Sequence, residues 1–286
     1  MNLAVHLGLA SALFFGGGDF LARFSSRQFG LLRPMLFGHA LLAVLFTLQL
    51  VAQRSALHAS VWAWLVLLTS NAALMLATVC LYRALVIGNL VIVAPVTACY
   101  GAVAALLSVL TGERLSALSS AGLLMTLAGG IAAAVPERRK NQGAVRTEVS
   151  GSTLAAAAAV FFGVGFWLQG RYAIPTFGTT VPVWSYYVFG TGVLLALGIA
   201  RRADIRPPTV VEVPVFLGPT LLGGAGYLAL AIGQSLGPAG VVTALSCLAS
   251  AVTVLFARVV LRESVALHGW VGLVVVVVGL TFLHLT

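Results

Sequence analysis

Apolar segments long enough to cross a bilayer recur along the whole chain, separated by short polar connections. A transmembrane helix needs about 20 predominantly apolar residues. Ten segments meet this requirement, at about 4–22, 34–52, 62–82, 90–110, 117–135, 153–171, 181–199, 213–233, 239–260 and 266–284. The pattern therefore predicts an all-α membrane protein with ten transmembrane helices. The longest polar stretch, Pro136 to Gly151, falls between the fifth and sixth of them.

The two halves of this pattern repeat each other in sequence. Tyr82–Gly129 aligns with Ala231–Gly279, and FFGGGDF at Phe14–Phe20 resembles FFGVGFW at Phe161–Trp167. Each half contains five spans, an odd number, so the second half begins on the opposite face of the membrane. We therefore predict two inverted five-helix repeats around a central cavity. The predicted units are a first repeat, a basic cytoplasmic linker and a second repeat, at 1–136, 137–152 and 153–286.

Composition and charge exclude a soluble protein. Charged residues make up 8% of the chain, against about 25% in soluble domains. The net charge of +9 does not indicate a nucleic-acid partner, because the basic residues lie in loops or at helix ends. With the N-terminus outside, thirteen of the sixteen Lys and Arg residues fall on the inner side. The positive-inside rule then places both termini outside the cytoplasm.

The repeat unit resembles a known transporter family. In each half a turn at Gly88 or Gly237 precedes a span, then GER at 112–114 or RES at 262–264, then a Gly-rich helix. This arrangement resembles the EamA-type branch of the drug/metabolite transporter superfamily. The resemblance implies alternating access through a cavity lined by the first, third, fourth, sixth, eighth and ninth helices. Bacterial exporters of amino acids, including aromatic ones, match in length, which implies a bacterial inner membrane location. The second half departs from the usual family pattern, because it has RES where GER is expected.

Asp19 is the only acid in the interior of a predicted span. An ionisable group at this depth is costly, and it commonly marks a transport pathway or a coupling site. Asp19 is therefore the candidate carrier of a coupled proton, or the group that binds a substrate amine. Alternatively, Arg23 lies four residues on and an interfacial ion pair accounts for both residues.

A polar face on the third helix supplies the first pathway candidates. Asn71, Thr78 and Tyr82 lie on one side of this helix, and Tyr227 aligns with Thr78 at an offset of 149. Hydrogen bonds between helices are the alternative explanation. Four further candidates lie within spans: His39, Tyr100, Trp167 and Ser246.

Prolines and glycines supply the candidate hinges, because proline kinks a helix and glycine allows bending. These are Pro95, Pro219, Gly88 and Gly237. Glu113 and Glu263 end equivalent helices, where a helix-end ion pair is favoured over a gate.

Motifs of other function classes are missing from the sequence. It contains no phosphate-binding G-x-x-x-x-G-K-[ST] loop, no H-E-x-x-H and no Cys/His cluster, so we expect no enzyme, cofactor or metal. A channel would need a filter sequence or a ring of charge, and the sequence shows neither. We predict a secondary transporter of small neutral or zwitterionic metabolites, with aromatic or branched amino acids first, that exports its substrate. Purines, sugars and lipophilic cations are the alternatives, protons are a candidate coupling ion, and a monomer in the lipid bilayer suffices.

Overall fold

The computed structural model describes residues 2–53, 59–112, 118, 121, 122, 124, 125, 128, 129, 132, 142–237, 239–262 and 267–282. Over these ranges the chain is helical and contains no strand. The helices are α1 (Asn2–Phe29), α2 (Leu32–Ala52), α3 (Val61–Ile87), α4 (Leu90–Ala98), α5 (Tyr100–Leu110), α6 (Gln142–Leu168), α7 (Ile174–Phe177), α8 (Thr180–Ala200), α9 (Val213–Leu236), α10 (Ala239–Cys247), α11 (Ala249–Val260) and α12 (Leu267–Phe282). A π-helical turn at Gln169–Ala173 joins α6 to α7.

Nine of the ten predicted spans coincide with these helices. Seven helical segments in the described part are long and apolar enough to cross a membrane, and shorter apolar helices occupy Leu245–Val260 and Gly269–Gly279. The predicted span at 117–135, together with Glu113 and Glu263, falls mostly or wholly outside the described residues. α6 begins at Gln142, well before the predicted start at 153. Good helix formers in this polar stretch, such as Ala144 and Arg146, allow the helix to extend into the expected linker.

The first helix of each predicted half packs against the other half. α1 lies against α9, α10 and α11, whereas α6 lies against α3, α4 and α5. The second helices of the two halves, α2 and α8, lie against each other. The packing therefore crosses between the halves rather than staying within either one.

Two glycines permit close contacts at equivalent crossings. A Cβ atom on Gly16 of α1 would lie 2.6 Å from Cβ of Val252, and one on Gly163 of α6 would lie 2.5 Å from Cβ of Val103. Val103 and Val252 are 149 residues apart, close to the spacing of the repeat. Only glycine fits at either crossing without a shift of the neighbouring helix.

Two spans are broken at equivalent positions. α4 gives way to α5 at Cys99, and α10 gives way to α11 at Leu248, again 149 residues later. At each break the backbone N–H donates to the carbonyl three residues back, Val96 or Leu245, at 3.2 and 3.1 Å. A bond of this kind forms a local 3₁₀-type turn within the span. Tyr100 follows the first break directly and is buried.

Candidate functional site

A cavity of about 130 Å³ lies at the interface of the two predicted halves. For comparison, a cavity of about 150 Å³ in another protein holds benzene, so this one has room for a one-ring molecule. Side chains from both halves line it. Seven predicted site residues are among them: Asp19, His39, Thr78, Tyr82, Tyr100, Pro219 and Tyr227. Residues of α2 and α8, which are the second and the seventh predicted spans, also line the cavity, although the family resemblance implied neither of these two spans.

The cavity occupies one end of the helical assembly. Its lining reaches Ser25 near the end of α1 and Pro34 near the start of α2. Towards the other end it stops at Leu74 on α3 and at Tyr227 on α9. The cavity therefore lies on the side where α1 ends and α2 begins, which is the predicted cytoplasmic side.

Aromatic rings form a continuous wall of the cavity. The ring of Tyr186 lies 5.0 Å from that of Tyr187 and 5.3 Å from that of Tyr227, both edge to face. Phe166 lies 6.0 Å from Tyr227 and 5.5 Å from Tyr100. Such pairs are favourable beyond the area they bury, so the wall is held together by its own ring contacts.

Among the described residues that line the cavity, Asp19 carries the only charged side chain. It is half-buried, and it lies near enough to Tyr82 and Tyr100 to interact with them electrostatically. Among the ion pairs of the described residues, none joins Asp19 to Arg23. The alternative explanation of an Asp19–Arg23 pair therefore finds no support in this arrangement.

His39 is buried beside the cavity with a defined tautomer. Its Nδ1 lies 2.8 Å from the carbonyl oxygen of Met35. Because a carbonyl only accepts, Nδ1 of the neutral ring carries the proton and Nε2 is an acceptor. No hydrogen bond to Nε2 is formed within the described ranges. The rings of Tyr186 and Tyr187 each lie 5.3 Å away.

Hydrogen bonds between the halves close the cavity at the end away from Ser25 and Pro34, and they continue beyond that end. Three of them join side chains: Thr78 Oγ1 with Tyr186 Oη at 2.8 Å, Tyr100 Oη with Ser246 Oγ at 2.6 Å, and Asn71 Nδ2 with Ser185 Oγ at 3.0 Å. Asn71 and Ser246 therefore lie in the closed part of the interface and do not line the cavity.

The other predicted residues lie away from the cavity wall. Trp167 contacts the ring of Tyr172 at 5.8 Å and is not among the lining residues. Pro95 is inside α4. Gly88 and Gly237 follow the ends of α3 and α9 as their C-caps.

Several lining residues were not predicted, although the repeat carried a signal for one of them. Phe166 aligns with Asp19 in the repeat, and both line the cavity. Tyr186 and Tyr187 had only their position well inside a predicted span as a signal, and Phe162 had none. Gln169, which is fully buried, accepts a 2.6 Å hydrogen bond from Tyr227 Oη and fixes that ring.

The described residues include no group of three or more His, Cys, Asp or Glu side chains that could hold a metal ion. In the part of the lining that the structure describes, the side chains supply one carboxylate, one imidazole, several hydroxyls and many rings.

Comparison with known proteins gives the fold and a family match. None of the curated proteins matches the chain. A solved structure described only as "Crystal structure of protein" is similar with a TM-score of 0.70 at 20% identity, over 99% of this chain and 96% of that one. At this identity the likeness shows the fold alone. The second half of the sequence matches the EamA-like transporter family. Residues 149–285 are therefore similar to an EamA-like transporter domain, and the described helices are those of a multi-pass membrane protein.

Proposed function

We propose that the chain is a secondary transporter that carries small molecules with an aromatic or apolar body by alternating access, and that it works as an exporter. Aromatic amino acids are the first substrates to test, with purines, sugars and lipophilic cations next. The observation that carries the proposal is the cavity between the halves, which reaches one end of the molecule and is closed at the other.

The packing supports two inverted five-helix repeats. α1 and α6 make equivalent crossings onto the opposite half, through Gly16 and Gly163. The breaks at Cys99 and Leu248 are also equivalent. Halves related by a pseudo-two-fold axis in the membrane plane can exchange conformations, so a cavity open to one side can become open to the other.

The position of the cavity favours loading from the cytoplasm. The positive-inside count puts the end of α1 and the start of α2 on the cytoplasmic side, and the cavity lies at that end. In the proposed cycle, cargo enters here. The hydrogen bonds Tyr100–Ser246 and Asn71–Ser185 then break as the closed end of the cavity opens.

Transport is tested in proteoliposomes with a pair of glycine variants. A Cβ atom at Gly223 or at Gly192 would meet nothing within 4 Å, but only Gly223 lines the cavity. We expect Gly223→Trp to fill the cavity and reduce saturable flux of labelled aromatic amino acids at least tenfold. Gly192→Trp, on an exposed part of α8, should retain it.

Three results decide the proposal. Unlabelled substrate inside the vesicles should accelerate uptake, because a carrier exchanges and a channel does not. A pH gradient should change the rate if protons are coupled. Equal flux through the Gly223→Trp and Gly192→Trp variants would show that the cavity is not the pathway.

A further inference from the structure

We propose that the cavity selects one-ring organic cations, that is, a protonated amine attached to an aromatic body, over the corresponding amino acids. This inference rests on the proposed transport function and names the substrate class of the same site. Three independent properties of the lining lead to it: its charge, its ring faces and the direction of its hydroxyl hydrogens.

The charge of the lining suits a monocation. Asp19 supplies one carboxylate, and the lining residues that the structure describes include no Lys or Arg. A carboxylate removed from bulk water is costly unless a positive group pairs with it. A ligand ammonium supplies that group. The carboxylate of an amino acid, in contrast, would enter beside Asp19 with no cation to pair with it.

The rings supply a second attraction for a cation. Ammonium groups are attracted to the faces of Tyr and Phe rings within about 6 Å of the centroid. Tyr186, Tyr187 and Tyr227 are mutually edge to face, and Tyr82 and Tyr100 line the same cavity as Asp19. An amine at Asp19 can therefore contact ring faces while its own ring packs on the aromatic wall.

At the closed end, the hydroxyl groups of Tyr186 and Tyr100 already donate hydrogen bonds to other protein groups. Thr78 donates to the carbonyl of Leu74, so Tyr186 must donate to Thr78. In the same way Ser246 donates to the carbonyl of Thr243, and Tyr100 must donate to Ser246. These hydroxyl oxygens retain only lone pairs.

Other polar groups of the lining add to this acceptor character. Tyr227 donates to Gln169, Thr97 donates to the carbonyl of Val93, and Nε2 of His39 is an acceptor. The hydroxyls of Tyr82 and Tyr187, for which the described part shows no bond, can act either way. An acceptor-rich lining suits the three N–H donors of an ammonium group and offers little to a carboxylate.

The inference is tested by equilibrium binding to the purified full chain, independently of flux. The probes share one ring and differ in charge: phenethylamine, L-phenylalanine, 3-phenylpropanoate and 2-phenylethanol. We expect phenethylamine to bind at least tenfold more tightly than L-phenylalanine, and 3-phenylpropanoate to bind weakest. Asp19→Asn should weaken phenethylamine at least tenfold and leave 2-phenylethanol binding unchanged, which shows that the variant is folded. Asp204→Asn, at an exposed site, is the matched control.

The outcomes separate this inference from the proposed function. L-phenylalanine binding as tightly as phenethylamine, or equal phenethylamine affinity in the Asp19→Asn variant, would overturn the inference and leave transport standing. No binding by any of the four probes would also overturn it. Selective binding of phenethylamine without flux would support the inference and contradict the transporter proposal.

Discussion

Glycine at a helix crossing sets how closely the two halves approach. Gly163 brings α6 against α5, where a Cβ atom would lie 2.5 Å from that of Val103. Real side chains do not tolerate this distance, so an added methyl group must push the helices apart. The crossing is therefore more sensitive to a single methyl group than most apolar positions in the chain.

We expect Gly163→Ala to destabilise the protein by about 1–3 kcal/mol, the usual cost of overpacking a well-filled site. The measurement is thermal unfolding in detergent. Gly192→Ala is the matched control, because its Cβ atom would meet nothing within 4 Å, and alanine favours the helix. Equal unfolding temperatures for the two variants would contradict the tight crossing.

For single residues, the sequence predicted the depth of a residue within its span better than the direction in which its side chain faces. Asp19, Thr78 and Tyr227 were placed inside spans, and they line the cavity. Trp167 was also placed inside a span, yet its neighbour Phe166 faces the cavity. Adjacent residues on a helix point about 100° apart, and an almost uniformly apolar helix has no polar face to reveal its rotation.

At the scale of elements, Arg33 ties three helices together. It donates to both carboxylate oxygens of Glu212 at 3.1 and 2.9 Å, and it also donates to two carbonyls of the connection before α9. Its guanidinium lies 5.9 and 5.7 Å from the ring centres of Phe29 and Phe216. The end of α1 and the starts of α2 and α9 are thus joined by one side chain, beside the mouth of the cavity.

We expect Glu212→Gln to lower the unfolding temperature at neutral pH. The hydrogen bonds from Arg33, and then that from the Thr209 N–H, hold the pKa of Glu212 below its usual 4.5. A depressed pKa gives stability that is fully present above pH 4.5 and is lost as the pH falls through the folded-state pKa. The difference between wild type and variant should therefore shrink in acid.

The control for this pair is Asp204→Asn, because the Asp204–Arg206 pair is 3.7 Å apart and largely exposed. Exposed pairs contribute little, so this variant should unfold like the wild type at every pH. A pH-independent difference between Glu212→Gln and the wild type would show that the charge of Glu212 is not responsible.

Helix positions followed from the apolar pattern, but the breaks within helices did not. The spans predicted at 90–110 and 239–260 are each two helices, divided at Cys99 and at Leu248. Pro95 gave a hint of the first break, since it removes a backbone donor inside α4. The residues around Leu248 include no proline, so the sequence provided no comparable hint of the second break.

At the scale of the whole molecule, the orientation in the membrane can be tested with single cysteines. Val210 is 88% exposed. We expect the Val210→Cys variant to react with an impermeant maleimide only from the cytoplasmic side. Thr176→Cys, exposed near the end of α7, should react only from outside. Cys80, Cys99 and Cys247 are first replaced by alanine. The reverse pattern would invert the proposed topology and the loading side.

The duplication predicted two related halves, but not which end of the cavity is open. Two inverted repeats are compatible with either state, because exchanging their conformations gives the opposite opening. The choice depends on small differences between the halves. Asp19 corresponds to Phe166, and Tyr100 corresponds to Ala249, so the polar and aromatic groups are distributed unequally about the centre.

The crossed packing of α1 also constrains how the protein is made. α1 leaves the ribosome before its partners α9, α10 and α11. Until then α1 stands in lipid without the neighbours that cover Gly16, and with the Asp19 carboxylate uncovered. Contacts between segments so distant in sequence form late. Packing of α1 must therefore await synthesis of α11, and the first half cannot mature on its own while the second is being translated.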